Sequence, residues 1–368
     1  MSFATQTLLW ALLVGGAAVW AAEPLWRCGR FDMRRAAPLS VVGVLTLVWL
    51  NRLGFFGQAH VVYLLVTAVP GCLVVGALST SAGRAWARTG LGAAAVVALA
   101  VPPTLGLYAS HVEPFWLATD TVTAEVDTGA GLRIGVLADL QTPSVGEYER
   151  DAVARLIATE PDLILIPGDL WQMSDEQIVD DWPIFSDLVQ EMVDAIGHVV
   201  IVEGDTDHIG WLERIEERTG AIVVHDRITR LEIDGTEIVI GGTQLLTGEP
   251  PRASVDVLAQ LAAIEAEAPD EVVTIALSHR PDVVTWLPGP VDLAVAGHTH
   301  GGQIQVPFFG PLVTFSDVPR DVAAGGLHTV DEQLLYVSTG VGRERKDAPQ
   351  IRFNARPSIG VIDLVGEG

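Results

Sequence analysis

Two imidazoles, His298 and His300, stand two residues apart in the stretch AGHTHGGQ, directly after the apolar run VDLAVA. Neutral imidazole is a ligand for borderline divalent cations. Other apolar runs end in the same kind of group: Asp139 follows IGVLA, Asp169 follows LILIPG, Asp205 follows VVIVEG and His279 follows TIALS. Carboxylates mixed with imidazoles suit Mn²⁺, Zn²⁺ or Fe better than Ca²⁺, which takes oxygen alone. Two such ions roughly 3.5–4 Å apart clamp a phosphate, turn a bridging water into hydroxide and stabilise the entering and leaving oxygens. A carboxylate such as that of Asp169 can bridge them. Taken one at a time, each aspartate reads as a cap on the turn after its strand. Taken with three imidazoles, they read as one metal site, with Gly168, Gly204, Gly297 and Gly301 letting the backbone come close to it.

Such a cluster needs a scaffold that gathers distant residues. LRIGVLAD, DLILIPGD, HVVIVEGD, EIVIGGT, VVTIALSH, VDLAVAGH, LLYVSTG and IGVIDLV have the length and Val/Ile/Leu content of buried strands. Between several of them lie the amphipathic patterns EYERDAVARLIAT, IFSDLVQEMVDAI, WLERIEERTG and SVDVLAQLAAIEAEA, which predict helices. An α/β domain follows, and the strand ends of an open α/β sheet converge on one crevice. Residues 303–330, rich in Pro, Gly and Phe, read as a long ordered loop or a hairpin.

The chain has 368 residues, 49% of them hydrophobic, unevenly spread. Residues 1–110 hold only Glu23, Asp32 and seven arginines, which leaves 44 acidic against 15 basic residues for the rest. Windows near 5–22, 38–56, 60–79 and 90–109 each approach the ~20 apolar residues that cross a bilayer. Arg27, Arg30, Arg34, Arg35, Arg84 and Arg88 fill the first and third loops, so the positive-inside rule predicts both termini, and the acidic domain, on the extracytoplasmic side. The expected organisation is a transmembrane anchor of about four helices over 1–110, a linker over 111–130 and a catalytic domain over 131–368. Cys28 and Cys72 both fall in the anchor, so the acidic domain has no disulfide, thiolate site or cysteine nucleophile. Lys346 is the one lysine, and without a basic stripe nucleic acid is an unfit partner.

With these motifs assembled, residues 131–365 resemble the calcineurin-like metallophosphoesterases, in particular a membrane-associated branch whose fifth motif reads GHTHGGQ. LSHRPD, VDLAVAGHTHGGQIQVPFFGPL and VSTGVGRERKDAPQIRFNARPSIGVIDL carry the likeness further. The resemblance implies a four-layer α/β/β/α domain with two divalent ions at the strand ends. By position, Asp139, Gln141, Asp169 and His300 would hold the first ion, and Asp169, Asp205, His279 and His298 the second. Two motifs depart from the pattern. Gln141 stands where histidine is usual, and in EGDTDH the residues Asp205 and Thr206 replace asparagine and histidine. That histidine is the family's proposed general acid, a role worth typically ~10²–10⁴-fold. His208 and its neighbour Asp207 are the candidate catalytic groups in its place, and Arg280, a fixed cation beside His279, is a candidate phosphate contact.

The expected function is a membrane-anchored, metal-dependent phosphoesterase, its expected partners being the bilayer and a phosphoester substrate, lipid-linked substrates included. The competing expectation is a metal-binding pseudoenzyme, a sensor or interaction domain that lost its acid at Thr206. No acidic residue sits deep in a span, which argues against transport by the helices. His60, His111, His198, His225 and His328 have no motif around them. The acid pairs in DEQIVDDW and ERIEERTG read as solvated helix faces. Phe308, Phe309 and Phe315, with Pro307 and Pro311, read as loop core, with a hydrophobic lip beside the active site as the rival hypothesis.

Overall fold

The computed structural model describes residues 2–30, 32–126, 131–244, 249–268 and 271–366. The chain divides into two compact units, Met1–Val112 with Glu344–Gln350, and Glu113–Arg343 with Ile351–Gly368.

The first unit is helical: α1 (Phe3–Cys28), α2 (Met33–Leu50), α3 (Phe55–Ser79), α4 (Ser81–Ala87) and α5 (Gly90–His111). Four of these are long and apolar enough to cross a membrane. They turn Leu9, Leu13, Val41, Leu47, Val66, Val75, Leu91 and Val97 outward, the reverse of a water-soluble bundle. Polar side chains close on neighbouring helices: Trp10 Nε1 donates to Thr46 Oγ1 at 2.9 Å, and Tyr63 Oη to the Gly106 carbonyl at 2.9 Å. Trp26 is buried and Trp20 is exposed under the Arg35 guanidinium, so only some of the tryptophans are packing residues.

The second unit holds the strands β1 (Ala118–Val126), β2 (Leu132–Val136), β3 (Leu163–Ile166), β4 (Val199–Ile201), β5 (Ile222–Val223), β6 (Arg227–Ile233) and β7 (Thr236–Thr243). After them come β8 (Val272–Ser278), β9 (Leu293–Ala296), β10 (Gln305–Val306), β11 (Gly310–Pro311), β12 (Gly326–Val330), β13 (Gln333–Val337) and β14 (Ser358–Gly366). Its helices are α6 (Glu147–Ile157), α7 (Asp175–Ile196), α8 (Ile209–Thr219), α9 (Arg252–Glu267) and α10 (Arg320–Ala323). One sheet runs β1-β14-β2-β3-β4-β5, a second β12-β13-β9-β8-β7-β6, and β10-β11 pair only with each other. β2 to β5 are mutually parallel, as are β7, β8 and β9, so the strand ends that carry the candidate ligands point one way within each sheet.

The period-2 alternation of the strands sorts their residues into different cores. Leu163 and Leu165 join Ile134, Val136, Ile238, Ile240, Ile275 and Val295 in a cluster common to both sheets. Their neighbours Ile164 and Ile166 face the opposite way and pack with Leu156, Phe185, Leu188, Met192 and Leu212 of α6, α7 and α8. On the second sheet, Val239, Ala276, Ala294 and Ala296 meet Leu258 and Leu261 of α9.

Residues 118–126, inside the stretch read as linker, form β1, paired in parallel with all nine residues of β14. Its sequence ATDTVTAEV alternates half-buried and exposed positions for most of its length, which is edge-strand patterning too polar to stand out as a buried run. Tyr336 of β13, fully buried, donates its phenol to Asp120 Oδ2 of β1 at 3.1 Å, reaching from one sheet to the other.

Candidate metal centre

The ligand residues leave their strands in backbone conformations that side chains avoid. Asp139, Asp169, His298 and His300 have φ of 48°, 55°, 71° and 49°. Such strain costs of order 1–3 kcal/mol per residue and survives where the surroundings over-determine it. Here the loops brace one another: Asp139 N–H donates to the Gly168 carbonyl at 3.1 Å, Gln141 N–H to Asp169 at 2.8 Å and Gly297 N–H to His279 at 3.0 Å. The Asp139 carboxylate accepts the His298 N–H at 3.0 and 3.1 Å, and Asp169 Oδ1 accepts the Thr206 N–H at 2.8 Å. A Cβ at Gly204 would fall 2.2 Å from Asp169 Oδ1, and one at Gly297 would fall 2.6 Å from Asp139 Oδ2. Alanine at either place collides with a candidate ligand.

Five of the sequence candidates gather into two overlapping groups. Asp205, His279 and His298 each bring a ligand atom within 4.8 Å of the others, as do Asp139, Asp169 and His279. His279 Nε2 lies 3.7 Å from Asp169 Oδ2 and 3.8 Å from Asp205 Oδ2. His298 Nδ1 lies 3.0 Å from Asp205 Oδ2 and 3.1 Å from His279 Nε2. The tautomers follow from what stands behind each ring. A carbonyl only accepts, so His279 Nδ1, 2.8 Å from the Pro167 oxygen, carries the hydrogen in the neutral ring and Nε2 keeps its lone pair for the site. The Phe315 carbonyl, 3.3 Å from His298 Nε2, likewise frees Nδ1 of that ring. A carbonyl behind the imidazole is how metal-binding histidines are oriented.

The charge distribution calls for cations. Burial pulls the His279 imidazolium down, but Asp169, Asp205 and Asp139 outweigh it and raise its pKa to about 9. Burial raises Asp139 to about 7 against the pull of His279, with the charge of Asp169 adding to the rise. Burial also pushes Asp205 up, yet close contact with the His298 ring and the charges of His279, His298 and Arg280 together hold it below the usual range. Protons and metal ions compete for such a place. The mixed oxygen and nitrogen donors fit a divalent transition ion.

The other candidates are placed differently. Gln141 is buried, and its Nε2 donates to Asp169 Oδ2 at 3.3 Å; offering Oε1 there requires the opposite amide orientation. His300 points Nε2 at Asp139 Oδ1 across 4.0 Å and stands outside both groups. Thr206 Oγ1 donates to the Trp171 carbonyl at 2.5 Å. Asp207 is buried beneath the site, its carboxylate accepting the N–H groups of Asp169 (2.7 Å), Leu170 (3.0 Å), Gly204 (3.1 Å) and Trp171 (3.5 Å). Burial and the charge of Asp169 raise it to about 8. His208 is exposed at the N-cap of α8. Arg280 donates Nε to Asp282 at 3.3 Å and Nη2 to the Phe315 carbonyl.

Arg352 escaped the sequence reading. It is fully buried, donating to the carbonyls of Gly342, Thr339, Ala355, Gly340 and His300 and, at 3.2 Å, to His300 Nδ1. Burial lowers its pKa to about 10. The one signal was an arginine set between Ile351 and Phe353 in QIRFN, which no spacing ties to the histidines.

Residues 132–302 match the family model described as calcineurin-like phosphoesterase, a span that holds every candidate ligand and stops short of Arg352. The chain is 27% identical over 270 residues to the uncharacterized metallophosphoesterase YkuE of Bacillus subtilis, covering 70% of this chain and 88% of that one. It is 28% identical over 279 residues to the phosphodiesterase YaeI of Escherichia coli, covering 70% and 92%. A shorter match, 35% over 100 residues, is to the UDP-2,3-diacylglucosamine pyrophosphatase LpxG of Chlamydia muridarum, covering 25% of this chain and 29% of that one. The second unit therefore contains a calcineurin-like metallophosphoesterase domain.

Proposed function

We propose that the chain is a membrane-anchored phosphoesterase that depends on two divalent metal ions, Mn, Zn or Fe. The observation that carries the reading is the pair of ligand groups sharing His279 where the strand ends meet. By motif position, Asp139, Gln141, Asp169 and His300 hold the first ion and Asp169, Asp205, His279 and His298 the second. Two ions there would activate water at neutral pH and would supply charge to offset the phosphoryl oxygens. The protein's own groups orient and position. Pro167 and Phe315 hold the two imidazole tautomers, Asp207 fixes the loops on which Asp169 and Asp205 sit, and Arg280, whose charge acts on Asp205 and which shares the Phe315 carbonyl with His298, is the contact for a substrate phosphate. With a threonine at 206, proton delivery to the leaving group falls to His208 or to solvent, which suits a substrate whose leaving group is already acidic, as in a diphosphate.

Residues 1–110 are read as the anchor and 131–368, joined by β1 from the stretch read as linker, as an α/β/β/α catalytic domain outside the cytoplasm. A phosphodiester or diphosphate at the membrane surface is the substrate class this organisation supports. The four apolar helices and the activities that name the phosphodiesterase and diacylglucosamine pyrophosphatase relatives support this reading. The test is turnover of bis-nitrophenyl phosphate by the full chain in nanodiscs with added Mn²⁺. Hydrolysis should appear and should be abolished by Asp169→Ala with helix content unchanged. Metal bound at full occupancy without hydrolysis of any phosphoester would leave the pseudoenzyme instead.

A further inference from the structure

The segment that follows the GHTHGGQ turn is an apolar projection. β10 and β11 pair only with each other, joined by Pro307, Phe308 and Phe309. Val306, Phe308, Phe309, Leu312, Val313 and Phe315 are all exposed, Phe308 completely, which overturns the expectation that these aromatics are loop core. The base of the hairpin is firmly held: Gln305 Nε2 donates to the carbonyls of Gly301 and Ala324 at 3.1 Å, Gln305 N–H to Phe353 at 2.9 Å, and Pro311 is buried. Its tip is not chosen for turn chemistry. Phe308 has φ 68°, a conformation that glycine or asparagine adopts more readily, and in water its ring gains nothing in return. The projection also touches the metal centre, since the Phe315 carbonyl accepts from both His298 and Arg280.

We propose that this hairpin inserts its apolar tip into the surface of a lipid bilayer, so that the metal centre takes a phosphoester held at the headgroup level. The bilayer is the occupant because four helices of the same chain are apolar enough to cross one, which keeps the hairpin at a high effective concentration near lipid. The patch has the make-up of interfacial anchors: aromatic and aliphatic side chains with an arginine, Arg320, stacked 4.7 Å over Phe309. Asp317 and Asp321 lie close by in sequence, so apolar depth and not net positive charge supplies the attachment. An exposed patch of this kind on a soluble surface marks a binding site. The inference rests on the membrane-anchored reading, but not on turnover.

The test uses the full chain with Cys28→Ser and Cys72→Ser, reconstituted in nanodiscs, with a single cysteine at Phe308→Cys carrying an environment-sensitive fluorophore. A second preparation carries the label at Glu217→Cys, on the exposed side of α8. The label at 308 should emit at shorter wavelength and be quenched by spin-labelled lipid, while the label at 217 stays accessible to iodide. Equal accessibility of both labels to iodide overturns the proposal, as does protection of 308 that needs two copies per disc, which would mean the face docks a second chain. In kinetics, Phe308→Asp with Phe309→Asp should lower turnover of a lipid-embedded phosphoester tenfold or more and leave a soluble aryl phosphodiester unchanged. Lipid contact by the label in a protein that hydrolyses nothing would count against the phosphoesterase reading alone.

Discussion

Arg352 Nη2 donates to His300 Nδ1 at 3.2 Å from a position with no access to solvent. A guanidinium has no acceptor, so the imidazole must accept there, and the neutral ring then carries its hydrogen on Nε2, the atom that faces Asp139; for Nε2 to ligate an ion that hydrogen must leave or move to Nδ1, which breaks the bond to Arg352. One arginine thus sets both the angle and the protonation of this imidazole. Burial of His300, with the Arg352 charge beside it, holds its pKa well below the usual value.

Arg352→Gln should therefore do more than loosen the fold. The lost donors leave buried carbonyls unpaired and should lower stability by about 2–5 kcal/mol. The freed His300 ring should also change Mn²⁺ binding. Calorimetric titration of Arg352→Gln beside a variant of equal thermal stability mutated far from the site separates the two effects; identical metal affinity in both would assign Arg352 a purely structural role.

Metal affinity should rise steeply with pH. His279 is raised from 6.5 to about 9, so a proton must leave Nε2 before an ion takes it, and from pH 7 to 9 binding should tighten by up to about tenfold per unit. The same shift gives the metal-free domain stability that is fully present below 6.5 and lost as pH climbs through about 9. Asp139, raised from 3.8 to about 7, adds a further loss over that lower interval. Melting curves with and without Mn²⁺ should accordingly diverge with increasing pH; parallel curves would contradict the assignment.

Thr206→His should speed the hydrolysis of substrates with poor leaving groups. It introduces a proton donor next to Asp205 at the modest cost, about 1 kcal/mol, of the Thr206 hydrogen bond to Trp171. An alkyl phosphodiester should turn over at least tenfold faster, while a nitrophenyl ester, whose leaving group needs no proton, should change little. Equal acceleration of both would point to a metal-site effect instead.

Asp207→Ala removes the acceptor for the N–H groups of Asp169, Leu170 and Gly204 in a buried loop. A loss of about 2–4 kcal/mol is expected, together with weaker metal binding, because Asp169 and Asp205 sit on the two loops it joins. Denaturant midpoints and Mn²⁺ titration check both.

The strands of the second unit were legible wherever they are buried on both faces. LILI and TIALS announce themselves by composition, and with them the acidic and imidazole groups at their ends, five of which lie close together in the structure. β1 and β6 were not legible, because their exposed positions carry Asp, Thr, Arg and Glu and dilute the apolar signal. What Asp207 touches was equally hidden: four backbone N–H groups leave no trace in residue types. The aromatic hairpin misled in the opposite sense, since Phe in a Pro/Gly-rich stretch ordinarily means burial, and only the structure shows Phe308 standing in the open.

The nine-rung pairing of β1 with β14, latched by the Tyr336 phenol on Asp120, also has a mechanical meaning. A pull on the chain at Ala118 would meet nine paired residues and a bond to the second sheet before it bore on β2, whose end carries Asp139.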